Sequence, residues 1–492
     1  MSSSSVLYSA AQVRALDAYA IAQGTDGYTL MRRAAEAALR AMRSRWPTAM
    51  RITIITGGGN NGGDGYVLAR FAQAAGLAAA VLAVVPPAAL RGDAQRACED
   101  FRASGGRILG YEPQLLGASD VIVDALLGTG LREPVRPAMA QAIHAINASE
   151  LPVFSLDLPS GLNADSGAVM GAAVNADCTI SFVALKTGLF LGAGPDHVGR
   201  LIFDDLEVSA PQEPRFHPLL ERLSESEISR TLPPRQREAN KGDFGRILIV
   251  GGGPGMPGAV RLAGESCLRV GAGLVSVATC RDNLTAIAAG RPELIVHAVE
   301  AAAALEPLLA TADVVAVGPG LGQSSWALAM LESVLASRKP LVIDADALNL
   351  LAKSACAAPA RSVLTPHPGE AGRLLGSDAA AIQSDRMAAL HALQARHPGS
   401  VIVLKGAGTL IGAEGHIPAI CERGNPAMAA PGMGDVLTGA IAGILGQCRD
   451  PWRAARAGVL AHALGGDELA RDRARGILAL ELAETMSRWV NL

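Results

Sequence analysis

Short runs of almost unbroken aliphatic residues recur along this chain, and most of them end in a glycine-rich or acidic turn leading into a helical pattern. In the first half these are RITIIT from Arg51, AAAVLAVV from Ala78, DVIVDALL from Asp120 and PVFSLDL from Pro152. In the second they are RILIVGG from Arg246, GLVSVAT from Gly273, DVVAVGPG from Asp313, PLVIDADAL from Pro340, SVLTPH from Ser362 and SVIVLKG from Ser400. Successive strand residues point to opposite sheet faces, so a strand that is apolar throughout must be covered on both. Alternation with helical segments therefore predicts βαβ units, with parallel sheets held between helical layers.

The 492 residues exceed one ordinary core, and the same grammar appears twice, which predicts two domains. Capping-box patterns, Ser9-x-x-Gln12 and Ser224-x-x-Glu227, stand near the start of each half. Between them SAPQEPRFHP, Ser209 to Pro218, carries three prolines and no apolar period. The expected division is a domain over 1–210, a linker over 211–218 and a second domain over 219–492. A net charge of −3 gives no footprint for nucleic acid. No apolar run is long enough to span a bilayer, and the N-terminus lacks a secretory pattern, so a cytoplasmic protein is expected. Seven scattered cysteines without CxxC spacing read as reduced core residues.

In the first half GGGNNGGDG, Gly57 to Gly65, lies where RITIIT gives way to a helix. Strand ends of this kind are where open α/β sheets bind ligands, and an amide-rich turn suits pyrophosphate. Asn60, Asn61 and Asp64 add oxygens that a plain dinucleotide turn lacks. Asp124, followed by the turn Gly128 to Pro134, and DLPSG, Asp157 to Gly161, end two further strands. Parallel strands bring these ends to one edge, so Asn61, Asp124 and Ser160 could offer oxygens to a single hard cation while Asp157 faces the ligand. The plainer alternative is that the acids cap loops and the glycines make turns. Lys186 in SFVALKTGLF could be a second polar group in the site, although a lysine at a strand end is more often solvated.

In the second half GNPAMAAPGMGDVLTGAIAG, Gly424 to Gly443, sets Asp435 after a glycine turn at the start of an apolar helix. Free helix-start amides attract phosphate, and Asp435 could accept a proton from a substrate hydroxyl during phosphoryl transfer. The motif is not GxxxxGK[ST]. The alternative is an Asp serving only as a helix N-cap. Gly253 to Gly258 spells GxGxxG, but Pro254 and Pro257 remove N–H donors, which disfavours a Rossmann cofactor turn. Further polar strand ends are Gly318 to Gly320, Asp344, His367 with Glu370, and Lys405 to Thr409.

The first-half motifs, with VDALLGTGL and DLPSG, resemble the YjeF N-terminal family of epimerases acting on hydrated NADH and NADPH, NAD(P)HX, from about Ser9 to Val208. KGDFGRILIVGG, GMPGA, TPHPGE, KGAGT and NPAMAAPGMGDVLTG resemble, in order, the YjeF C-terminal family of nucleotide-dependent NAD(P)HX dehydratases, from about Leu219 to Val490. The resemblance implies a Rossmann-like three-layer αβα domain followed by a ribokinase-like αβα domain. It implies substrate contacts at Asn60, Asn61, Gly62, Gly63, Asp64, Gly128, Thr129, Gly130, Leu131, Arg132, Glu133, Pro134 and Asp157. Potassium would be held by Asn61, Asp124 and Ser160, with Asp157 as acid–base residue. In the second domain it implies that Ala259, Gly320, His367 and Asp435 contact the hydrated dinucleotide, Asp435 being catalytic. Lys405, Gly406, Ala407, Gly408, Thr409 and Gly434 would contact an adenine nucleotide. Magnesium with ADP or ATP is expected, ADP being favoured by the fused layout, as is a homo-oligomer that binds neither nucleic acid nor membrane. The rivals are a ribokinase-like small-molecule kinase and a first domain that only binds ligand.

Overall fold

The computed structural model describes residues 5–354 and 356–491. Contacts divide the chain into Met1–Leu220 and Glu221–Leu492. Among the described residues no helix is long and apolar enough to cross a membrane.

The first unit is built on a seven-stranded sheet in the order Arg107–Gly110, Ala78–Ala83, Arg51–Thr56, Val121–Ala125, Val153–Leu156, Cys178–Phe182, Arg200–Asp204. Every pairing is parallel. Adjacent residues divide between two cores, as the apolar runs require. Ile54, Val123 and Phe154 pack with residues of the helices Gly27–Arg45 and Asn60–Ala74. Ile55, Ile122 and Val153 pack with Ile143 and Ile146 of the helix Pro137–Asn147. Strand order reverses beside Arg51–Thr56, whose neighbours continue in opposite directions across the sheet. That switch opens a crevice at the strands' carboxyl ends.

Ser9 and Gln12 form the expected capping box on the helix Ala10–Ala22. The second expected box does not form. Glu227 turns instead to Arg456, with contacts of 3.0 and 3.1 Å, and Ser224 Oγ meets Ser226 Oγ. Within the segment read as a linker, Phe216 is buried, edge-on to Tyr19 at 5.6 Å.

In the second unit the sheet runs Leu220–Arg222, Ala419–Cys421, Thr409–Gly412, Val401–Leu404, Val363–Leu364, Leu341–Ile343, Val314–Val317, Arg246–Val250, Leu274–Thr279, Ile295–Ala298. It is parallel from Ile295–Ala298 to Val401–Leu404, but Thr409–Gly412 is antiparallel to both of its neighbours. KGAGT thus sits at the turn of a hairpin rather than at a strand-to-helix crossover. The helix Met433–Cys448 lies against the helix Pro257–Arg269 through glycine. A Cβ on Gly439 would lie 2.0 Å from the Ala263 carbonyl oxygen, and one on Gly443 would lie 2.6 Å from Val270 Cγ2. Ser266 Oγ and Cys267 Sγ donate to the Val436 and Gly439 carbonyls across this contact, at 2.7 and 3.0 Å.

All seven cysteines are free. Cys98, Cys178, Cys267 and Cys421 are buried as expected, whereas Cys356 is exposed.

Candidate active sites

In the first unit a cleft of about 820 Å³ opens at the carboxyl ends of Arg51–Thr56 and Val121–Ala125. NNGGD forms the opening turn of the helix Asn60–Ala74, after Gly59 as N-cap. Its glycines are required by close approach. A Cβ on Gly62 would stand 2.4 Å from the Gly57 carbonyl oxygen, and one on Gly63 would stand 2.5 Å from Met31 Cε. Asn60, Asn61, Asp64, all seven residues from Gly128 to Pro134, and Asp157 line the cleft. A Cβ on Gly128 would lie 3.2 Å from Asn61 Cβ and 3.4 Å from Asp157 Oδ2, so the three expected segments meet there.

Asp124 is fully buried, and burial pushes its proton affinity up. Its carboxylate accepts from Ser155 Oγ and Ser160 N, both at 2.8 Å, from Ser160 Oγ at 2.6 Å and from the Leu126 amide at 3.2 Å. Asn61 Nδ2 donates to the Leu127 carbonyl at 2.9 Å, an oxygen shared with Ser160 Oγ at 3.1 Å. Asn61 Oδ1 is buried and has no hydrogen-bond partner. Leaving such an oxygen unsatisfied is costly, so it marks a place for an electropositive ligand.

Of the two readings of Lys186, the solvated one does not hold, and the residue lines the cleft. Its side chain is 1% exposed and its ammonium pairs with Asp157 Oδ1, while also donating to Ser181 Oγ at 3.1 Å and the Phe182 carbonyl at 2.8 Å. Both strand ends carry backbone strain. Asp157 and Val183 have φ of 68° and 65°, each at the centre of a tight turn closed from Leu158 N to Leu156 O and from Ala184 N to Phe182 O. Non-glycine residues held there cost on the order of 1–3 kcal/mol and cluster at functional sites.

Sequence reasoning missed Arg14 and Asp17, which line the cleft from the helix Ala10–Ala22. Arg14 donates to the Thr129 carbonyl at 3.1 Å. Burial raises Asp17 to about 6, with Lys186 opposing and Asp157 adding to the shift. Asp64 is pushed well above the ordinary carboxylate range, by burial first and then by Asp157 and Asp17. Nothing local in AAQVRALDAY separates these two residues from an ordinary exposed helix face.

In the second unit Gly432, with φ of 86°, is the N-cap of the helix Met433–Cys448 and leaves the cap without a side-chain bond. Asp435 is the third residue of that helix, and the capping role open to it in the sequence is not the one it takes. Burial raises Asp435 to about 7, the Asp344, Asp346 and Glu370 charges adding and Lys405 opposing. Asp344 ends the strand Leu341–Ile343, accepting from Lys405 Nζ at 2.7 Å on Oδ1 and from Thr438 Oγ1 at 2.6 Å on Oδ2. Lys405 Nζ lies 3.8 Å from Glu370 Oε2. A Cβ on Gly434 would stand 3.4 Å from Lys405 Nζ and 3.7 Å from Asp344 Oδ2, which places the helix start directly over this pair.

His367 Nδ1 accepts from the Gly369 and Glu370 amides at 3.0 and 3.4 Å, while the His367 amide donates to Glu370 Oε2 at 2.8 Å. The histidine therefore caps the helix Pro368–Leu375, yet it remains half exposed. Burial, then Lys405 and Arg373, lower its proton affinity. Ala259 and Gly320 come together, a Cβ on Gly320 falling 3.0 Å from that of Ala259.

The turn Lys405 to Gly408 presents Gly406 and Ala407 outward, while the Thr409 hydroxyl bonds back to the Gly406 carbonyl at 2.9 Å. Beneath it lies Arg386, a residue without a sequence motif. Its buried guanidinium donates to the carbonyls of Leu404, Lys405 and Gly408 at 3.0 to 3.3 Å.

A family model described as NAD(P)H-hydrate dehydratase matches residues 247–488, and one described as YjeF-related protein N-terminus matches residues 27–188. A bifunctional NAD(P)H-hydrate repair enzyme of Coxiella burnetii is 45% identical over 490 residues, 99% of each chain. Its namesake from Escherichia coli is 46% identical over 472 residues, 95% of this chain and 90% of the relative. Among solved structures, a ribokinase-like superfamily protein from Enterococcus faecalis superposes with a TM-score of 0.53 at 31% identity, covering 57% of this chain and 98% of the other. Both halves thus carry their own family match, and the relatives are covered almost end to end: the chain belongs to the family of bifunctional NAD(P)H-hydrate repair enzymes.

Proposed function

We propose that the protein restores hydrated NADH and NADPH, the first unit interconverting the R and S forms at C6 and the second dehydrating the S form at the expense of a nucleotide phosphoanhydride. Family membership supports the substrate. The observation that carries the chemistry is Asp435, a helix-start carboxylate that caps nothing and whose proton affinity burial brings near neutrality.

In the second unit Asp435 takes the proton of the C6 hydroxyl as that oxygen attacks the terminal phosphorus of ADP or ATP and the bridging P–O bond breaks. The C6–O bond then breaks with phosphate taking the electron pair, N1 supplying electrons to form C6=N1. Loss of a proton from C5 returns the pair to nitrogen and completes the dihydronicotinamide. The exposed amides of Gly406 and Ala407 and the helix start at Gly434 suit the nucleotide, and Ala259, Gly320 and His367 suit the dinucleotide. Magnesium would arrive on the nucleotide phosphates, since both oxygens of Asp344 already serve Lys405 and Thr438.

In the first unit Lys186 engages Asp157 Oδ1, which leaves Oδ2 facing Gly128 and the cleft. Oδ2 is the atom to hold the proton exchanged when the C6 hydroxyl leaves as water, N1 forming C6=N1, and water returns to the opposite face. The unsatisfied Asn61 oxygen, the buried Asp124 carboxylate and the Ser160 hydroxyl fit a hard monovalent cation, potassium. Bound there, it would neutralise Asp124 and fix the Asn61 and Leu127 segments that line the cleft.

Phosphorus-31 NMR of the purified protein with ADP or ATP, magnesium and S-NADHX tests this reading. Free phosphate with one equivalent of NADH is expected, and Asp435→Ala should lower the rate by about 10²- to 10⁴-fold. A stable phosphate ester would mark a kinase instead.

A further inference from the structure

Lys405 opens the KGAGT turn, yet its ammonium does not project along that turn. It points back under the start of the helix Met433–Cys448, bonding Asp344 Oδ1 at 2.7 Å and lying 3.8 Å from Glu370 Oε2. Asp344 Oδ2 is held by Thr438 Oγ1 at 2.6 Å, and Thr438 follows Asp435 by three residues on the same helix. Residues three apart lie on one helix face, so the residue that grips Asp344 shares a face of this helix with Asp435. At Gly434 the backbone passes over the pair, a Cβ there falling in ordinary contact with Lys405 Nζ and Asp344 Oδ2, at 3.4 and 3.7 Å. Lys405 is held from the other side as well, because Arg386 ties the carbonyls of Leu404, Lys405 and Gly408 and fixes the backbone from which it departs.

We propose that Lys405 and Asp344, clamped by Thr438, form a buried positioning pair that sets the basicity of Asp435 by opposing charges, and that Lys405 serves the base rather than the nucleotide phosphate. The inference rests on Asp435 being the base of the dehydratase reaction.

The charged surroundings of Asp435 are few. Asp344 and Asp346 come from the end of Leu341–Ile343 and the helix after it, Glu370 and His367 from the start of Pro368–Leu375, and Lys405 from the end of Val401–Leu404. His462, from the helix Pro451–Ala470, meets the Met433 carbonyl at 2.9 Å, and burial lowers it to about 4, so it is neutral across the working range. Among these described residues Lys405 is the one lysine or arginine. Burial works against its charge, but Asp344, Glu370 and Asp435 outweigh that effect and hold its proton affinity above the ordinary value. Without it three further carboxyl groups face Asp435 uncompensated; without Asp344 the same ammonium acts on Asp435 with one competitor fewer. Removing the two partners must therefore move the titration of Asp435 in opposite directions.

The test is the pH profile of dehydratase kcat/KM, with S-NADHX and saturating nucleotide, from pH 5 to 9, for the wild type, Lys405→Met, Asp344→Asn and the double variant. The acid limb should move up by about one unit or more in Lys405→Met, down by a similar amount in Asp344→Asn, and return towards the wild type in the double variant. Lys405→Arg, which keeps the charge, should leave the limb in place and stands in if Lys405→Met does not fold. Coincident limbs in all variants, or a raised nucleotide KM in Lys405→Met with its limb unmoved, would overturn the proposal. Asp435→Asn separates the two readings: full activity in that variant would remove Asp435 as the base, whereas an inactive Asp435→Asn with unmoved limbs elsewhere would sink the positioning pair alone.

Discussion

At the scale of single residues the two units use buried charge differently. Lys186 and Asp157 form an ion pair whose lysine is closed to solvent, so removing one partner leaves the other uncompensated. Lys186→Met is expected to destabilise the first unit by about 3–5 kcal/mol, and Lys186→Met/Asp157→Asn by less, as read by denaturant unfolding. Equal losses in both variants would show that the lysine acts through packing alone. Asp435, when ionised, is a destabilising group. Its proton affinity is raised on folding to about 7, so the folded chain binds the proton more tightly than the unfolded one. Stability from that proton is complete below the ordinary carboxylate range and is lost as pH rises towards 7. Asp435→Asn should therefore melt at higher temperature than the wild type at pH 8, with the gap closing near pH 4. A gap independent of pH would contradict this assignment. Asp64 and Asp435 were legible because each follows its glycines within a few residues, and Asp124 and Asp157 because each stands at a strand end shortly before a glycine turn. Lys186 and Arg386 were not, because their partners, Asp157 and the carbonyls of a hairpin turn, come from distant segments.

At the scale of elements the dehydratase site depends on how closely the helix Met433–Cys448 approaches Pro257–Arg269. Gly439 sits against a backbone carbonyl that cannot move aside. Gly439→Ala should cost about 1–3 kcal/mol in the second unit, against a small effect for Gly258→Ala, whose Cβ would meet nothing within 4 Å. Urea unfolding of the two variants makes the comparison, and equal midpoints would refute the packing role. The central strands were readable because both their faces are apolar. Edge strands were missed: Arg107–Gly110 is four residues long and largely uncovered, and Leu220–Arg222 carries two charged residues. Of Cys178–Phe182 only the end was read, at SFVAL, since Thr179 and Ser181 interrupt its apolar run although both are buried. The capping box expected at Ser224 failed because Arg456, over two hundred residues away, takes Glu227.

At the scale of the whole molecule, two α/β folds each gather their candidate site residues at strand ends: in the first unit beside the reversal of strand order, in the second with Asp344 and Lys405 ending strands on one side of it. Each unit carries its own family match, so the two activities are expected to be separable by point substitution. In the first unit, replacing potassium by a large organic cation should lower the melting temperature of the wild type and leave Asp124→Asn unaffected, whereas equal shifts in both would place the cation elsewhere. The most direct measurement follows absorbance at 340 nm after adding protein, magnesium, potassium and ADP or ATP to a mixture of both NADHX epimers. The wild type should convert the whole mixture, Asp157→Asn only the S fraction at the enzymatic rate, and Asp435→Asn none. Complete conversion by Asp157→Asn as fast as by the wild type, or any nucleotide-dependent gain with Asp435→Asn, would contradict the account.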